Sequence, residues 1–253
     1  MRIVLIGSGN VATHLGNALY EAGHKIVQVY SRSKENAINL SAGIESTGIT
    51  ELSKIVTDAE VYIISVKDDA LQEVVEKMPK VNGVVVHTAG SVGVEVLNRF
   101  DDYGVFYPFQ TFTKASKVVF HNIPVLVEGN NDQTTETLLN LGHALSKNVL
   151  KADSEQRAKL HIAAVYSCNF VNLMYRLADE VLQDSELPFS LLQPLIAETA
   201  NKVQSLNPTE TQTGPASRDD QQTILKHKEV LQGNTELTEI YELLTSSILK
   251  RTK

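Results

Sequence analysis

The hydrophobic positions along the first 150 residues alternate between short continuous runs and helical periods. Apolar runs rich in Val and Ile predict buried strands over residues 2–7, 25–31, 60–66, 83–87, 104–107 and 124–128. Apolar residues at helical spacing predict helices over residues 10–22, 33–41, 68–78 and 133–146. This alternation is typical of βαβ units, so it predicts a parallel sheet covered by helices.

The pattern changes after Asp153, where we find no further strand. Asp153 and Gln156 have the spacing of a capping box, and a helical pattern continues from there to about residue 182. Further helices are predicted over residues 189–206, 215–230 and 234–251. We therefore predict an α/β domain over residues 1–152 and an all-α domain over residues 153–253.

The composition indicates which broad class of protein the chain belongs to. Of the 253 residues, 42% are hydrophobic and 21% charged, which is ordinary for a globular protein with a sizeable core. The net charge of -7 argues against nucleic acid or an anionic membrane as a partner, and no apolar run is long enough to span a bilayer. The single cysteine, Cys168, suits a reducing cytoplasm, and no Cys/His cluster has zinc spacing. We expect a cytoplasmic protein without a metal site.

The sequence GSGNVA at residues 7–12 has the form of a nucleotide-binding turn between a strand and a helix. Gly7 permits the tight turn, Gly9 lets a pyrophosphate approach the backbone, and Ala12 lets the helix pack closely on the strand. Asn10 and Val11 begin the helix, whose free N–H groups attract phosphate. We assign Gly7, Gly9, Asn10 and Val11 to the cofactor. The alternative is a turn that happens to contain glycines.

The end of the second strand selects the cofactor. NAD sites usually carry Asp or Glu there, whereas this chain has Ser31, Arg32 and Ser33. The guanidinium of Arg32 matches a 2′-phosphate, and the serine hydroxyls can add hydrogen bonds. The three residues therefore favour NADP(H). A solvated basic loop is the alternative.

Two further strand ends, SVKDDA at 65–70 and HTAGS at 87–91, are expected at the same crevice. Their small residues let the nicotinamide half of the cofactor lie along the backbone. We assign Val66, Lys67, Thr88 and Ala89 to the cofactor. His87 is a catalytic candidate, although a histidine that ends a buried strand is more often structural.

Five motifs in this order, GSGNVATHLG, SVKDDAL, HTAGS, YPFQTF and TGPASRDD, give the chain a family resemblance. The chain resembles the bacterial family of NADP-dependent oxidoreductases that joins a Rossmann-like domain to a helical domain of unknown function. That family lies within the 6-phosphogluconate dehydrogenase-like and pyrroline-5-carboxylate reductase-like group. The resemblance covers nearly the whole chain. It implies a substrate site between two domains, a homodimer built through the helical domain, and reduction of 2-oxo acids such as ketopantoate as a candidate activity.

The chain departs from the family pattern at two positions. Tyr107 stands in YPFQTF where the family often has histidine, and Asp219 stands where a glycine often separates Arg218 from Asp220. A phenol titrates near pH 10 and an imidazole near 6.5, so the group at 107 keeps a proton over a wider range.

The helix predicted from residue 154 carries a polar stripe within a sector of roughly 120° at 100° per residue. The stripe consists of Arg157, His161, Asn169, Asn172 and Arg176. In the fold group that the chain resembles, this helix faces the nicotinamide, which implies catalytic roles for two of these residues. His161 would supply a proton and Asn169 would hold the carbonyl. A polar network between helices, or a stripe facing solvent, is the alternative.

Four residues are assigned to the substrate: Gly90, Tyr107, Asn172 and Arg218. Arg218 follows the turn Thr213-Gly214-Pro215, and its guanidinium could bind a substrate carboxylate in bidentate fashion. The alternative is a surface ion pair with Asp219 or Asp220.

The leading hypothesis is an NADP(H)-dependent reductase of a small carboxylated 2-oxo acid or a cyclic imine. A dehydrogenase that works on a hydroxy acid would use the same residues. A non-catalytic NADP(H)-binding sensor or regulatory protein is the alternative from another class, because fold alone does not fix function.

Overall fold

The computed structural model describes residues 1–115 and 118–252 of the chain. They form two compact units, Met1–Val165 and Tyr166–Lys253. The last strand ends at Lys151, and the first unit continues from there through a helix to Val165. The division into domains near residue 152, made from the sequence, stays a prediction.

The first unit is built on one eight-stranded sheet with the order β3-β2-β1-β4-β5-β6-β7-β8. The strands are β1 (Arg2–Ile6), β2 (Lys25–Tyr30), β3 (Thr47–Ile49), β4 (Val61–Ile64), β5 (Val84–His87), β6 (Tyr103–Pro108), β7 (Val125–Gly129) and β8 (Val149–Lys151). The order 3-2-1-4-5-6 is that of the Rossmann fold, in which ligands bind where the order reverses, here between β1 and β4.

Five helices belong to the first unit: α1 (Asn10–Glu21), α2 (Lys34–Gly43), α3 (Asp68–Lys77), α4 (Asp132–His143) and α5 (Ser154–Ala164). The predicted capping box begins α5, since Asp153 accepts from the N–H of Gln156 and the Gln156 side chain accepts from the N–H of Asp153. The α/β class, the strand-helix alternation and the start of α5 are therefore confirmed.

The sheet differs from the predicted parallel sheet at β7, which runs antiparallel to β6. Parallel neighbours need a long crossover, usually a helix, whereas antiparallel neighbours do not. Among the described residues between β6 and β7, the only helical segment is the short turn Phe120–Asn122. The sequence pattern also missed β3 and β8, which have three residues each and carry too little periodicity to be recognised.

Residues alternate along the strands between two apolar cores, one on each face of the sheet. Ile3 and Leu5 pack with residues of α1 and α4, while Val4 and Ile6 pack with residues of α3. All four side chains are fully buried. Because β2, β1, β4, β5 and β6 run parallel, their carboxyl ends lie along one edge of this rigid sheet.

In its described residues, the second unit consists of helices joined by turns and loops, and no strand is present. Its helices are α6 (Phe170–Leu182), α7 (Gln193–Ser205), α8 (Pro208–Thr211), α9 (Gln221–Val230) and α10 (Thr235–Thr252). A π-helical turn, Val165–Asn169, lies between α5 and α6. Asp219 interrupts the helix predicted over residues 215–230, because its φ of 54° is left-handed. Glycine adopts this conformation most readily, which fits the glycine that the family often has there.

The long helix after residue 154 is more exposed than the sequence suggested. Its apolar residues Tyr166, Phe170 and Leu173 are 68%, 45% and 42% exposed, and Cys168 is also exposed. Apolar periodicity shows that a helix face needs a cover, but it does not show where the cover comes from. In the described part of the chain, no helix has both the length and the apolar character to cross a membrane.

Candidate active site

The glycine turn joins β1 to α1 with a positive φ at Gly7. Gly7 has a φ of 130°, and a Cβ there would lie 2.0 Å from the carbonyl oxygen of Ser65 at the end of β4. At Gly9, which precedes α1, a Cβ would meet nothing within 4 Å. Only glycine fits position 7, and the open space at Gly9 leaves the N-terminus of α1 accessible to a phosphate.

Hydrogen bonds fix the loop that follows β2. The hydroxyl of Ser8 donates to Oγ of Ser31 at 2.8 Å, and the backbone N–H of Ser33 donates to the same atom at 3.2 Å. Ser33 also caps α2 by accepting from the N–H of Asn36. The loop is thus held against the glycine turn, while Arg32 between the two serines stays exposed.

A cleft of about 1020 Å³ runs along the carboxyl ends of the strands, entirely within the first unit. It is lined by every residue assigned to the cofactor: Gly7, Gly9, Asn10, Val11, Ser31, Arg32, Ser33, Val66, Lys67, Thr88 and Ala89. Three of the other predicted site residues also line it: Gly90, Tyr107 and His161. The structure brings these fourteen residues together, and their roles stay predictions.

The loop after β6 forms one wall of the cleft and is tied to α1. Nδ2 of Asn10 donates to the carbonyl oxygen of Phe112 at 2.9 Å, and Nε2 of His14 lies 2.9 Å from the carbonyl oxygen of Thr113. The rings of His14 and Phe112 stack with centroids 5.4 Å apart. This wall belongs to the YPFQTF motif.

A hydrogen-bonded pair of protonatable side chains lies in the cleft beyond β5. The hydroxyl of Tyr107 is 3.0 Å from Nδ1 of His161. Both groups rest on Gly90, where a Cβ would lie 2.6 Å from Nδ1 of His161 and 2.7 Å from the hydroxyl of Tyr107. Burial raises the pKa of the Tyr107 phenol, the nearby positive charge of Arg157 lowers it, and the carboxylate of Asp68 raises it further. The phenol therefore keeps its proton at neutral pH.

His87 ends β5 as a structural histidine. The N–H of Ala89 donates to Nδ1 of His87 at 3.1 Å, so Nε2 carries the proton and donates to the carbonyl oxygen of Gly93 at 3.3 Å. The side chain is fully buried. Burial, followed by the positive charge of Arg157, lowers the pKa of His87 to about 4. Its ring nitrogens are used within the fold, in agreement with the structural interpretation.

The first residue of the predicted polar stripe, Arg157, is buried with 1% of its side chain exposed. It forms an ion pair with Glu128 of β7 and donates to the carbonyl oxygen of Val92 at 2.7 Å. Sequence reasoning placed Arg157 on the stripe but found no partner for it, because Glu128 lies 29 residues away along the chain.

Comparison with known proteins agrees with this architecture. A Rossmann-like domain matches residues 1–109, and a domain of unknown function (DUF2520) matches residues 123–248. A Bacteroides fragilis protein, described as an NADP oxidoreductase, is 44% identical, with 98% of each chain covered and a TM-score of 0.90. The chain belongs to this family of NADP oxidoreductases that join a Rossmann-like domain to DUF2520. The family predicted from the sequence motifs is therefore confirmed.

More distant structures share the fold. A reductive aminase from Aspergillus terreus, in complex with NADPH and ethyl-5-oxohexanoate, is 12% identical with a TM-score of 0.73, over 98% of this chain and 92% of that chain. A 1-pyrroline-5-carboxylate reductase from Streptococcus pyogenes is 11% identical with a TM-score of 0.65, over 99% of this chain and 98% of that chain. Among proteins with curated descriptions, none matches this chain.

Three residues predicted for the site of this family member belong to the second unit. Asn169 ends the π-helical turn, Asn172 follows in α6, and Arg218 ends the turn Ala216–Arg218. All three side chains are exposed. In the part of the chain that the structure describes, Arg218 forms no ion pair with Asp219 or Asp220. Their contacts with the substrate stay predictions.

Sequence reasoning missed several residues that line the cleft. The charged ones are Asp68, Glu73, Lys77 and Lys114, and the loop after β6 adds Gln110 and Phe112. Nζ of Lys77 lies 2.5 Å from Oε1 of Glu73. The hydrogen bond and the charge of Lys77 lower the pKa of the Glu73 carboxyl, and the guanidinium of Arg32 adds a smaller effect in the same direction. Glu73 and Lys77 are one turn apart on α3, a pattern that resembles any solvated helix face. The motifs SVKDDA and YPFQTF were the available signals for Asp68 and Gln110.

Among the described residues, no group of three or more His, Cys, Asp or Glu side chains has an arrangement that could hold a metal ion. The cleft instead carries four cationic side chains, those of Arg32, Lys67, Lys77 and Lys114, against the two acidic ones of Asp68 and Glu73. This excess of positive charge suits an anionic ligand such as a phosphorylated nucleotide.

Proposed function

We propose that this chain is an NADP(H)-dependent reductase of a small carboxylated substrate, either a 2-oxo acid of the ketopantoate type or a cyclic imine. The coarser part of this statement follows from family membership, which makes the chain an oxidoreductase that uses NADP(H). The substrate class and the roles of individual residues are the proposal.

The described residues fit a bound dinucleotide. Gly7 and Gly9 leave the backbone open to the pyrophosphate, and α1 directs free N–H groups toward it. Arg32 would hold the 2′-phosphate, with Ser31 and Ser33 beside it. Arg32 follows β2 and Gly90 follows β5, three strand spacings away in the sheet order. At roughly 4.8 Å per spacing, this distance of about 14 Å matches a dinucleotide laid across the sheet edge.

The hydrogen bond between Tyr107 and His161 is the observation that carries the proposal. Both residues line the cleft, and in the proposed function they would provide a proton donor at the end of the cleft opposite Arg32. The bound nicotinamide would supply a hydride for a C=O or C=N carbon. The charge left on the oxygen or nitrogen then requires a proton. The phenol of Tyr107, whose pKa is raised, would donate this proton. His161, 3.0 Å away, would then return a proton to Tyr107.

A carboxylate on the substrate is proposed from the unpaired guanidinium of Arg218. Arg218 and Asn172 would bind the substrate, and Asn169 would hold its reacting oxygen or nitrogen. Each has an exposed side chain able to form new hydrogen bonds. The reverse reaction, oxidation of a hydroxy acid, would use the same groups.

A homodimer is proposed from the second unit. Between residues 166 and 252, only Leu177, Ala216 and Ile224 are buried. A unit of this size requires a larger core than three residues provide, so a second copy of the chain is expected to cover its apolar side chains. We further propose a cytoplasmic protein, in keeping with its single, exposed cysteine.

The test starts with cofactor binding. NADPH and NADH are titrated in parallel while the fluorescence of the reduced nicotinamide is followed, because the chain has no tryptophan to excite. Panels of 2-oxo acids and cyclic imines are then screened with saturating NADPH. Tyr107→Phe and His161→Gln are expected to keep NADPH binding and lose most of the turnover. Tyr103→Phe, on the same strand but outside the cleft lining, is the control.

The outcomes separate the proposed functions. Turnover of one substrate class identifies the reductase. Tight NADPH binding without turnover of any panel member would favour the non-catalytic sensor. If neither nucleotide binds, the glycine turn has no cofactor role and the proposal is wrong.

A further inference from the structure

Arg157 lies at the centre of a buried polar network that reaches three segments of the first unit. Its Nη1 pairs with Oε2 of Glu128 on β7, and its Nη2 donates to the carbonyl oxygen of Val92 at 2.7 Å and to Oγ of Ser154 at 3.1 Å. The hydroxyl of Ser154 in turn donates to the same Glu128 oxygen at 2.9 Å. The guanidinium of Arg157, 1% exposed, and the carboxylate of Glu128, 17% exposed, thus share one site. Nη1 and Nη2 of Arg157 have partners there, whereas its buried Nε has none among the described residues.

The network and His161 lie on the same face of α5. Ser154, Arg157 and His161 are spaced by three and four residues on α5, so their side chains point to one side of the helix. The capping box of Asp153 and Gln156 fixes where α5 begins. Anchoring Arg157 therefore sets the height and rotation of the turn that carries His161.

The same network also holds the loop that supports the pair. Three consecutive residues of that loop are bonded: Val92 to Arg157, Gly93 to Nε2 of His87, and Val94 through its N–H to Oγ of Ser154 at 3.3 Å. Gly90, two residues earlier, is the surface on which Tyr107 and His161 rest. Hydrogen bonds of Val92 to Arg157 and of Val94 to Ser154 thus connect this loop with the helix that carries His161.

Packing alone does not require this arrangement. Buried ion pairs can often be replaced by apolar residues of similar volume without loss of stability, because the cost of desolvation offsets the attraction. An apolar pair, however, cannot hold the carbonyl of Val92 or the hydroxyl of Ser154. The positive charge of Arg157 also opposes the rise in the pKa of Tyr107 that burial causes.

We propose that Arg157, paired with Glu128, is a positioning residue that holds His161 within hydrogen-bond distance of Tyr107 and fixes the Gly90 loop beneath them. The proposal rests on the proposed function only in that Tyr107 and His161 supply the proton. The positioning of His161 by Arg157 does not depend on that function. Glu128 and Ser154 complete the network around Arg157. None of these three residues lines the cleft.

The experiment uses the full chain and reads the pair directly. The imidazole signals of His161 are recorded by ¹H–¹⁵N NMR and identified by their absence in His161→Gln. Tyr107→Phe gives the reference spectrum for His161 without its partner. The main variant is the double substitution of Arg157→Met with Glu128→Leu, which removes the ion pair without leaving a buried charge alone. Lys159→Met, an exposed site on the same helix, is the matched control.

The double variant is expected to fold, to bind NADPH within about twofold of the parent, and to show the His161 signals of Tyr107→Phe. With a substrate from the panel, its kcat should fall by between about tenfold and a hundredfold while KM changes less, because the pair is displaced rather than removed. Parent-like His161 signals in the folded double variant would overturn the proposal. Shifted His161 signals with an unchanged kcat would support the positioning role and would contradict the proposed function, in which this pair supplies the proton.

One further variant keeps the proposal testable. If the double variant does not fold, Arg157→Lys decides, because it keeps the charge beside Glu128 but lacks the fork that reaches Val92 and Ser154. Shifted His161 signals in Arg157→Lys support the proposal, and parent-like signals reject it. If the parent chain binds no NADPH, the proposed function is wrong, whereas the NMR comparison still gives its own answer.

Discussion

The hydroxyl of Tyr107 and Nδ1 of His161 lie 3.0 Å apart, and this pair joins the end of β6 to the second turn of α5. Tyr107 replaces the histidine that often occupies its position in the family. The substitution keeps a hydrogen-bonding proton donor there but changes its acidity, because burial raises the pKa of a phenol and lowers that of an imidazole. At neutral pH the Tyr107 member of the pair therefore stays protonated.

Gly90→Ala is expected to separate this pair. The new Cβ would lie within 2.8 Å of atoms in both side chains, so one of them must move. We expect kcat to fall by between about tenfold and a hundredfold, with a smaller change in the dissociation constant of NADPH. Gly43→Ala is the control, because a Cβ there meets nothing within 4 Å and its φ is not positive. Full activity in Gly90→Ala would show that the pair is dispensable.

Arg32→Ala is expected to reduce the preference for NADPH over NADH. A hydrogen bond to a charged group contributes about 1.5–3 kcal/mol, so NADPH binding should weaken by at least about tenfold. NADH lacks the 2′-phosphate, and its affinity should stay within about twofold. Parallel fluorescence titrations of both nucleotides measure the ratio. Equal weakening for both would show that Arg32 contacts a part that the two cofactors share.

Lys77→Gln tests whether α3 contributes to the same phosphate subsite. Lys77 lines the cleft with Arg32 and pairs with Glu73, whose carboxylate lies under the influence of both cations. We expect NADPH binding to weaken less than in Arg32→Ala, since Lys77 and its partner are both exposed. Glu73→Gln should strengthen NADPH binding by freeing Lys77. Lys54→Gln is the control, because Lys54 also pairs with a glutamate on the surface but does not line the cleft. No change in either test variant would exclude a role for α3.

The sequence was sufficient to predict the cofactor half of the cleft for a topological reason. The motifs at residues 7–12, 31–33, 65–70 and 87–91 all follow strands, and parallel strands place their carboxyl ends at one edge. The strand positions in the sequence therefore suffice to predict that these segments lie together. The same logic explains why β7 was misjudged, since the apolar run of a buried strand does not report its direction.

The pair of Arg157 with Glu128 could not be predicted, because it depends on tertiary distance. The two residues are 29 positions apart, and neither belongs to a recognisable motif. The polar stripe on α5 did reveal that Arg157 and His161 share a helix face. The stripe could not show whether Arg157 forms a buried ion pair or faces solvent, because polar residues have the same spacing along the helix in both cases. Lys77 was missed for the same reason, as its pairing with Glu73 is ordinary for an exposed helix.

His87 is expected to make stability depend on pH. Its pKa is about 4 in the fold and about 6.5 when unfolded, so the unfolded chain binds the proton more tightly. Stability is therefore full above pH 6.5 and falls as the pH drops from there toward 4. The loss between pH 7 and pH 5 is about 2 kcal/mol. Urea unfolding at both pH values measures it, and His87→Gln should reduce the difference.

The control for this prediction is His143→Gln, which changes an exposed histidine at the end of α4. Its pH dependence should match that of the parent. An undiminished difference in His87→Gln would show that another group governs acid destabilisation. His24, whose pKa burial also lowers, would then be the next residue to substitute.

Phe170→Glu is expected to dissociate the proposed homodimer. Phe170 is 45% exposed and packs edge-on against Tyr166, which is 68% exposed, so together they present an aromatic surface to solvent. Monomeric proteins rarely leave such surfaces uncovered, and aromatic residues are enriched in the cores of interfaces. A buried carboxylate at this position would lack a partner and would cost more than the contact supplies. Light scattering should give twice the chain mass of 27.8 kDa for the parent and the single mass for the variant.

Leu150→Glu separates this effect from a general response to surface charge. Leu150 is 57% exposed on β8 of the first unit, whose core is complete, so the variant should remain dimeric. A parent chain that is monomeric at micromolar concentration would contradict the proposal. In that case the apolar residues of the second unit would require a cover from a different protein, which is the arrangement that the regulatory hypothesis predicts.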